Sequence, residues 1–280
     1  MSKLNSGAGI AALAIGHVAG MIDLVVLPLW INTLIDGFGY FPAQAGALPS
    51  LFLVGAVIAS VILSRRFHKL NGRVLVPLGF WISAASFLAI VKTDIFAIHA
   101  ALHLIAGLAV GTSLSLIHGT MGQTANPHRV FAIAGFGLGV FAIIFLGGVP
   151  QLMNGVGPQA FFFAIGGTMA LAGLATALLL PTKETEVHAL EDVRSLPKSV
   201  RYSIAGVMGM ALVQGMVFSF LVQVGNDRGF GGQSIEIMLI VLGFVGLAPA
   251  VLAALLEKKL AAMTVAKIGP LVQAALALAI

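Results

Sequence analysis

Long apolar stretches separated by short polar connections make up most of the chain. Because the apolar residues run continuously instead of alternating with polar ones, they favour helices over the strands of a β-barrel. A helix needs ~20 residues to cross ~30 Å of hydrocarbon. The stretches near that length are Ala8–Leu34, Ala43–Leu63, Val74–Val91, Ile95–Ile117, Val130–Val149, Ala160–Leu180, Tyr202–Val224, Ile235–Leu256 and Ala262–Ile280. The pattern predicts an all-α integral membrane protein with nine visible spans.

The composition agrees with a protein whose outer surface faces lipid. Hydrophobic residues make up 59% of the 280 residues and charged residues only 9%, against about 25% charged in soluble domains. The chain has no cysteine, which excludes disulfides and thiolate metal sites. The net charge of +5 comes from basic residues scattered over short connections. We therefore expect the lipid bilayer as a partner, no nucleic acid, no metal and no cofactor.

The basic residues also predict an orientation. With the N-terminus in the cytoplasm, thirteen of the fifteen Lys and Arg residues fall on the cytoplasmic side, and Lys92 and Arg228 fall outside. Such a bias is the positive-inside rule. The sequence therefore predicts a multi-pass protein of the plasma or inner membrane.

A short internal repeat divides the chain into two halves. Gly37-Phe-Gly39 precedes span two, and Gly229-Phe-Gly231 precedes span eight at an offset of 192 residues. The longest polar stretch lies between spans six and seven. We expect a six-helix N-terminal half at 1–181, a cytoplasmic linker at 182–201 and a partial C-terminal half at 202–280.

Two motifs add a family resemblance. The connection Arg65-Arg-Phe-His-Lys-Leu-Asn-Gly-Arg73 ends like the loop pattern G-x-x-x-D-R-x-G-R, although Lys69 replaces its acid. In span four, His103-Leu-Ile-Ala-Gly107 resembles R-x-x-x-G with histidine for arginine. With six spans, a charged linker and a second unit, the chain resembles the major facilitator superfamily.

The resemblance implies a secondary transporter whose two halves rock around a central site. It implies a gating loop that contains Gly72 and Arg73. It also implies twelve helices, so we expect a chain truncated within the ninth, with helices ten to twelve absent. A non-transporting paralogue with a scaffold or sensor role is the alternative. No nucleophile–base set, nucleotide motif or metal quartet points to an enzyme.

Asp23 is the first candidate for chemistry, because it lies near the middle of span one. An ionised side chain there costs ~2.5–3.5 kcal/mol on insertion scales, and such acids mark ion pathways. Gly16 and Gly20 share its helical stripe. We predict that Asp23 binds the coupling proton from a proton gradient, with His103 as its titrating partner. A structural acid that braces a neighbouring helix is the alternative.

Three further polar side chains are predicted to bind the small-molecule substrate. His99 lies four residues from His103 on one face of span four. His17 lies in span one, and Gln214 lies mid-span in span seven, the repeat counterpart of span one. A buried, hydrogen-bonded structural role is the alternative for each.

Small and aromatic residues of the spans are expected to have structural roles. Gly107 with Gly111, and Gly135 with Gly139, have the spacing of close helix packing. Trp30 and the run Phe161–Phe163 are expected to face lipid or the membrane interface.

Overall fold

The chain folds into a bundle of long helices. The computed structural model describes residues 3–64, 69–181, 198–230, 232–256 and 262–278. A 3₁₀ turn at Lys3–Asn5 precedes the first α-helix, and a π-helical turn at Thr33–Gly37 follows the second. The α-helices of the described residues are α1 (Gly7–Gly20), α2 (Asp23–Asn32), α3 (Pro42–Ser64), α4 (Gly72–Ile90), α5 (Phe96–Met121), α6 (Pro127–Val156), α7 (Gln159–Leu179), α8 (Lys198–Ser219), α9 (Leu221–Asp227), α10 (Gly232–Leu256) and α11 (Ala262–Leu278).

The predicted membrane fold is confirmed. Within the described residues, seven helical segments are long and apolar enough to cross a bilayer, and the first of them joins α1, α2 and the π-helical turn. Part of α10, Gly232–Ala248, is apolar but shorter, and α11 occupies the predicted ninth span. The protein is therefore an all-α, multi-pass membrane protein.

Span one is broken near its middle, which the apolar pattern did not predict. The backbone N–H groups of Leu24 and Val25 bond to the carbonyls of Met21 and Ile22, three residues back, at 3.2 and 3.0 Å. Pro28 contributes to the distortion, because its ring crowds the carbonyl four residues earlier. Span seven is likewise divided at Phe220, between α8 and α9. Both repeat counterparts are thus discontinuous.

The connections sort to two ends of the bundle. At one end, Asn5 Oδ1 accepts a hydrogen bond of 2.9 Å from the backbone N–H of Ala125, which joins the chain start to the α5–α6 connection. At the other end, Gly37 lies against Pro158, so the connections after α2 and α6 are neighbours. This alternation follows the order predicted for the first six spans.

Glycines allow α3 and α5 to approach at backbone distance. A Cβ on Gly107 would overlap the carbonyl oxygen of Phe52, and one on Gly111 would overlap Ala56. The packing role predicted for these two glycines is confirmed. Gly139 packs against Leu247 of α10, but Gly135 faces open space, so its predicted packing role is wrong.

Aromatic side chains fill the centre of the N-terminal helices. Trp30 is fully buried, and its ring centroid lies 5.4 Å from those of Phe52 and Phe87. Phe161 and Phe162 are also fully buried, whereas Phe163 is exposed. The expectation that Trp30, Phe161 and Phe162 face lipid is wrong, because their helices turn these positions towards one another.

The two predicted halves meet along definite helix pairs. The helix α6 packs against α10, and α2 packs against α8 and α9. Most of the predicted linker, 182–197, lies outside the described residues. The division at 181 and 202 therefore stays a prediction.

Candidate functional site

His103 sits inside the aromatic centre and is fully buried. Its Nε2 lies 3.3 Å from Trp30 Nε1, and its Nδ1 lies 2.7 Å from the carbonyl oxygen of His99. An indole nitrogen can only donate, and a carbonyl oxygen can only accept. His103 therefore accepts at Nε2 and donates from Nδ1, which defines a neutral ring with no nitrogen left for a further proton.

His99 ties three segments together one turn earlier on α5. Its Nε2 donates to the carbonyl oxygens of Ile90 and Thr93, at 3.0 and 2.7 Å. Its Nδ1 lies 2.9 Å from the hydroxyl of Tyr40, which donates to it in the neutral ring. Because His99 is fully buried, these bonds fasten the α4–α5 connection and the connection before α3 to the end of α5.

The hydrogen bonds of His99 and His103 favour the structural alternative for both. Neither ring is exposed to a pathway in this conformation. The substrate-binding role of His99 and the proton-coupling role of His103 stay predictions. The structure brings these two histidines together but pairs neither one with Asp23 by a hydrogen bond.

A second histidine pair connects different spans. His17 Nδ1 on α1 lies 2.9 Å from His118 Nε2 on α5. The ring of Phe131, from the start of α6, lies edge-on to His17 at 6.3 Å and against His118 at 5.6 Å. His118 is partly exposed and His17 is buried. The sequence singled out His17 but missed His118, because 101 residues separate the two.

Asp23 opens α2 at the break in span one. It lies in the first turn of α2 and is partly buried. A helix N-terminus favours a negative charge, because its first N–H groups have no partner within the helix. Asp23 is thus an acid at a mid-span helix start, which the apolar pattern alone did not show.

Amide side chains mark the helices where the halves meet. Asn32 Oδ1 on α2 and Gln223 Oε1 on α9 are buried and have no hydrogen-bond partner among the described residues. Leaving such an acceptor unsatisfied costs about 1–3 kcal/mol. The predicted Gln214 is exposed on α8. Gln273, by contrast, donates to the Met210 carbonyl at 2.8 Å and joins α11 to α8.

The predicted gating residues lie at the start of α4. Asn71 Oδ1 caps this helix by accepting from the backbone N–H of Arg73 at 3.1 Å. Gly72 has open space around its Cα, and the Arg73 side chain is exposed. Residues 65–68 of the same motif lie outside the described residues. The gating role stays a prediction.

The described residues contain no group of three or more histidine and acidic side chains that could hold a metal ion. They do contain one mid-span acid (Asp23), the pair formed by buried His17 and partly exposed His118, and the unsatisfied amide oxygens of Asn32 and Gln223, all within apolar helices.

These features define a multi-pass helical membrane protein with polar groups buried between its spans. The family model described as Major Facilitator Superfamily matches residues 12–280, so the chain belongs to this superfamily of solute transporters. No curated protein sequence matches the chain.

Proposed function

We propose that the protein is a secondary active transporter that moves a small solute by alternating access and is driven by protons. The observation that carries the proposal is Asp23, an acid at the helix start inside span one. In this proposal the protein resides in the plasma or inner membrane with its N-terminus in the cytoplasm, and Gly72 and Arg73 belong to the cytoplasmic gate.

Asp23 is suited to bind and release a proton. When it is ionised, its charge lies at the start of α2, where the helix dipole favours a negative charge. When it is protonated, Asp23 carries no charge, so the cost of an ionised side chain inside a membrane span is avoided. A carboxyl group of this kind can load a proton in one conformation and lose it in the other. His103 has no nitrogen available in this conformation, so the proposal rests on Asp23 alone.

The solute would bind between the halves, near α2 and α9. These helices pack together and carry the unsatisfied oxygens of Asn32 and Gln223. Because both atoms accept hydrogen bonds, they favour a solute that carries hydroxyl or amine donors. His17 and Gln214 remain proposed contacts, since each lies on a helix of the same two spans.

The test uses the full protein in liposomes that enclose a pH-sensitive dye. A panel of hydroxyl- and amine-bearing solutes is added, and proton movement with solute uptake is followed. Asp23→Asn keeps size and hydrogen bonding but cannot titrate. We expect it to lose accumulation against a gradient and to retain solute exchange, whereas Asp36→Asn, at the exposed end of the same span, should retain both.

Undiminished accumulation by Asp23→Asn, with wild-type pH dependence, would show that the coupling group lies elsewhere. The alternative function, a non-transporting scaffold or sensor, draws on α8, whose apolar side chains such as Val207, Met208 and Leu212 are exposed. No uptake of any solute, together with stable capture of a partner along α8, would favour that alternative.

A further inference from the structure

Two imidazole rings from different spans face each other nitrogen to nitrogen, away from the aromatic centre that holds His99 and His103. We propose that His17 and His118 form a one-proton binding site and pass that proton between α1 and α5. The inference deepens the proposed function, on which it rests for the use of the proton. The site itself is defined by the geometry of the two rings.

The distance of 2.9 Å between His17 Nδ1 and His118 Nε2 is that of a hydrogen bond. Two neutral imidazoles can form it only if one ring donates N–H and the other accepts with a bare nitrogen. Each ring then keeps an outer nitrogen, Nε2 of His17 and Nδ1 of His118. Within the described residues, neither of these two outer nitrogens is a buried polar atom that lacks a hydrogen-bond partner.

One added proton fits this arrangement without breaking it. With His17 as donor, the proton binds at its outer Nε2, and the ring becomes an imidazolium that still donates from Nδ1 to His118. The bond gains strength, because charge-assisted hydrogen bonds are roughly twice as strong as neutral ones. A second proton would remove the accepting nitrogen and place two positive charges side by side. The pair therefore binds one proton and rejects two.

The same bond allows the proton to move. An N–H bond forms at His17 Nε2 as the proton enters. The Nδ1 hydrogen then transfers to His118 Nε2, and an N–H bond breaks at His118 Nδ1 as a proton leaves. No electrons are transferred and each ring ends neutral. The tautomers afterwards are exchanged, so ring flips or a return hop must restore the starting state.

The charged groups on neighbouring elements set the electrostatic surroundings. The helix α1 packs on α5, α6, α7 and the 3₁₀ turn, and α5 packs also on α3 and α4. The described parts of these elements contain no acid and four other cationic or titratable residues outside α5, namely Lys3, Arg73, His128 and Arg129. Because these elements contribute no acid to form an ion pair, the two imidazoles themselves hold the proton; Asp23 lies six residues beyond His17, at the start of α2.

His103 provides the internal contrast. Its two nitrogens both have partners that fix donor and acceptor, so adding a proton must break the bond from Trp30. Among the described residues, the hydrogen bond of the His17–His118 pair uses one nitrogen of each ring, which leaves the outer nitrogen of each ring to bind a proton. The hydrogen bonds thus separate four of the seven histidines into two kinds. His99 and His103 stabilise the fold, whereas His17 and His118 can bind a proton.

The test follows the ring nitrogens by NMR in the full protein, labelled with ¹⁵N-histidine and placed in lipid nanodiscs, with protons as the ligand. As the pH is lowered, we expect the pair to gain one proton. Both rings should shift together to averaged positions, because the proton exchanges between them. His118→Gln should leave His17 to titrate alone along a different curve.

His128→Gln is the matched control, because His128 is an exposed histidine at the start of α6; it should leave the pair unchanged. Uptake of two independent protons, retention of the charge on one ring, or no protonation would each overturn the proposal. The wild-type titration decides the matter even if a variant fails to fold. One-proton titration without gradient-driven uptake would refute only the proposed function; uptake without that titration would refute only this inference.

Discussion

At the scale of single residues, the same side chain has different capacities according to its hydrogen bonds. His99 and His103 each use both ring nitrogens inside the fold. His17 and His118 use one nitrogen each, towards each other. Sequence spacing grouped His99 with His103 correctly, because four residues bring two side chains to one face of a helix. It could not tell that their nitrogens were already satisfied.

His103→Ala should destabilise the fold. The substitution leaves the buried indole N–H of Trp30 without its acceptor, which costs about 1–3 kcal/mol, and it opens a cavity among aromatic rings. Thermal unfolding in detergent measures the loss. His128→Ala is the control because His128 is exposed. Equal melting temperatures for the two variants would contradict the structural role of His103.

Tyr40 should remain protonated to higher pH than an ordinary tyrosine. Burial, and then the negative charge of Asp94, raises the pKa of Tyr40 above its usual 10.0. Since the folded state holds this proton more tightly than the unfolded chain, its contribution to stability is present below about pH 10 and is lost as the pH rises through the folded value.

The chain has two tyrosines, so Tyr202→Phe leaves Tyr40 as the sole phenol for an ultraviolet titration. We expect its phenolate to form only above the ordinary pKa. Tyr40→Phe should lose about 0.5–1.5 kcal/mol of stability with the hydrogen bond to His99. A phenolate forming at the ordinary pKa in Tyr202→Phe would show that Asp94 and burial do not act on Tyr40.

At the scale of elements, helix pairs are held by close backbone approach. Lipid is as apolar as the helices, so burial of apolar surface does not drive their association; van der Waals packing between small residues does. Gly55, Gly107 and Gly111 supply that contact between α3 and α5. Spans one and seven are each broken into two helices, α1 with α2 and α8 with α9. The halves meet where α2 packs on α8 and α9.

Gly107→Ala should force α3 and α5 apart. Its new methyl group would overlap the Phe52 carbonyl oxygen, and backbone cannot yield as a flexible side chain does. Overpacking of this kind costs about 1–3 kcal/mol or more, so we expect a lower unfolding temperature and a smaller folded yield. Gly135→Ala adds the same methyl group in open space and should behave like the wild type. A harmless Gly107→Ala would mean that α3 and α5 are farther apart.

At the scale of the whole molecule, the halves meet through α6 and α10 and through α2 with α8 and α9. At the interface between α6 and α10, which we call the seam, glycines of one helix face larger side chains of the other. A Cβ on Gly147, for example, would lie 3.6 Å from Ile240 Cγ1. Packing of small residues against larger side chains at this interface suits the proposed rocking of the two halves.

A cysteine pair tests this seam, because the chain has no cysteine of its own. Gly147→Cys with Ile240→Cys should crosslink on mild oxidation. Proteolysis in the linker predicted at 182–201 then leaves the two halves joined until a reductant is added, as seen by gel mobility. Gly148→Cys with Ile240→Cys is the control, since Gly148 has no neighbour within 4 Å. Crosslinking of the control alone would contradict the seam.

The sequence by itself determined the class of fold, because the property that decides it is local. Runs of apolar residues near membrane thickness can satisfy their backbone in lipid only as helices, and the loop motifs led to the correct superfamily. Asp23 also stood out by itself, since a charge inside an apolar run is costly wherever the helix points.

The tertiary structure alone decided which polar groups meet. His17 and His118 are 101 residues apart and Tyr40 and His99 are 59 apart; their pairing depends on how each helix is rotated and tilted. Helices that are apolar all round carry little signal for that rotation. Trp30 was misplaced at the lipid surface for this reason. Contacts between helix backbones, set by glycines, fix the rotation and so create the sites.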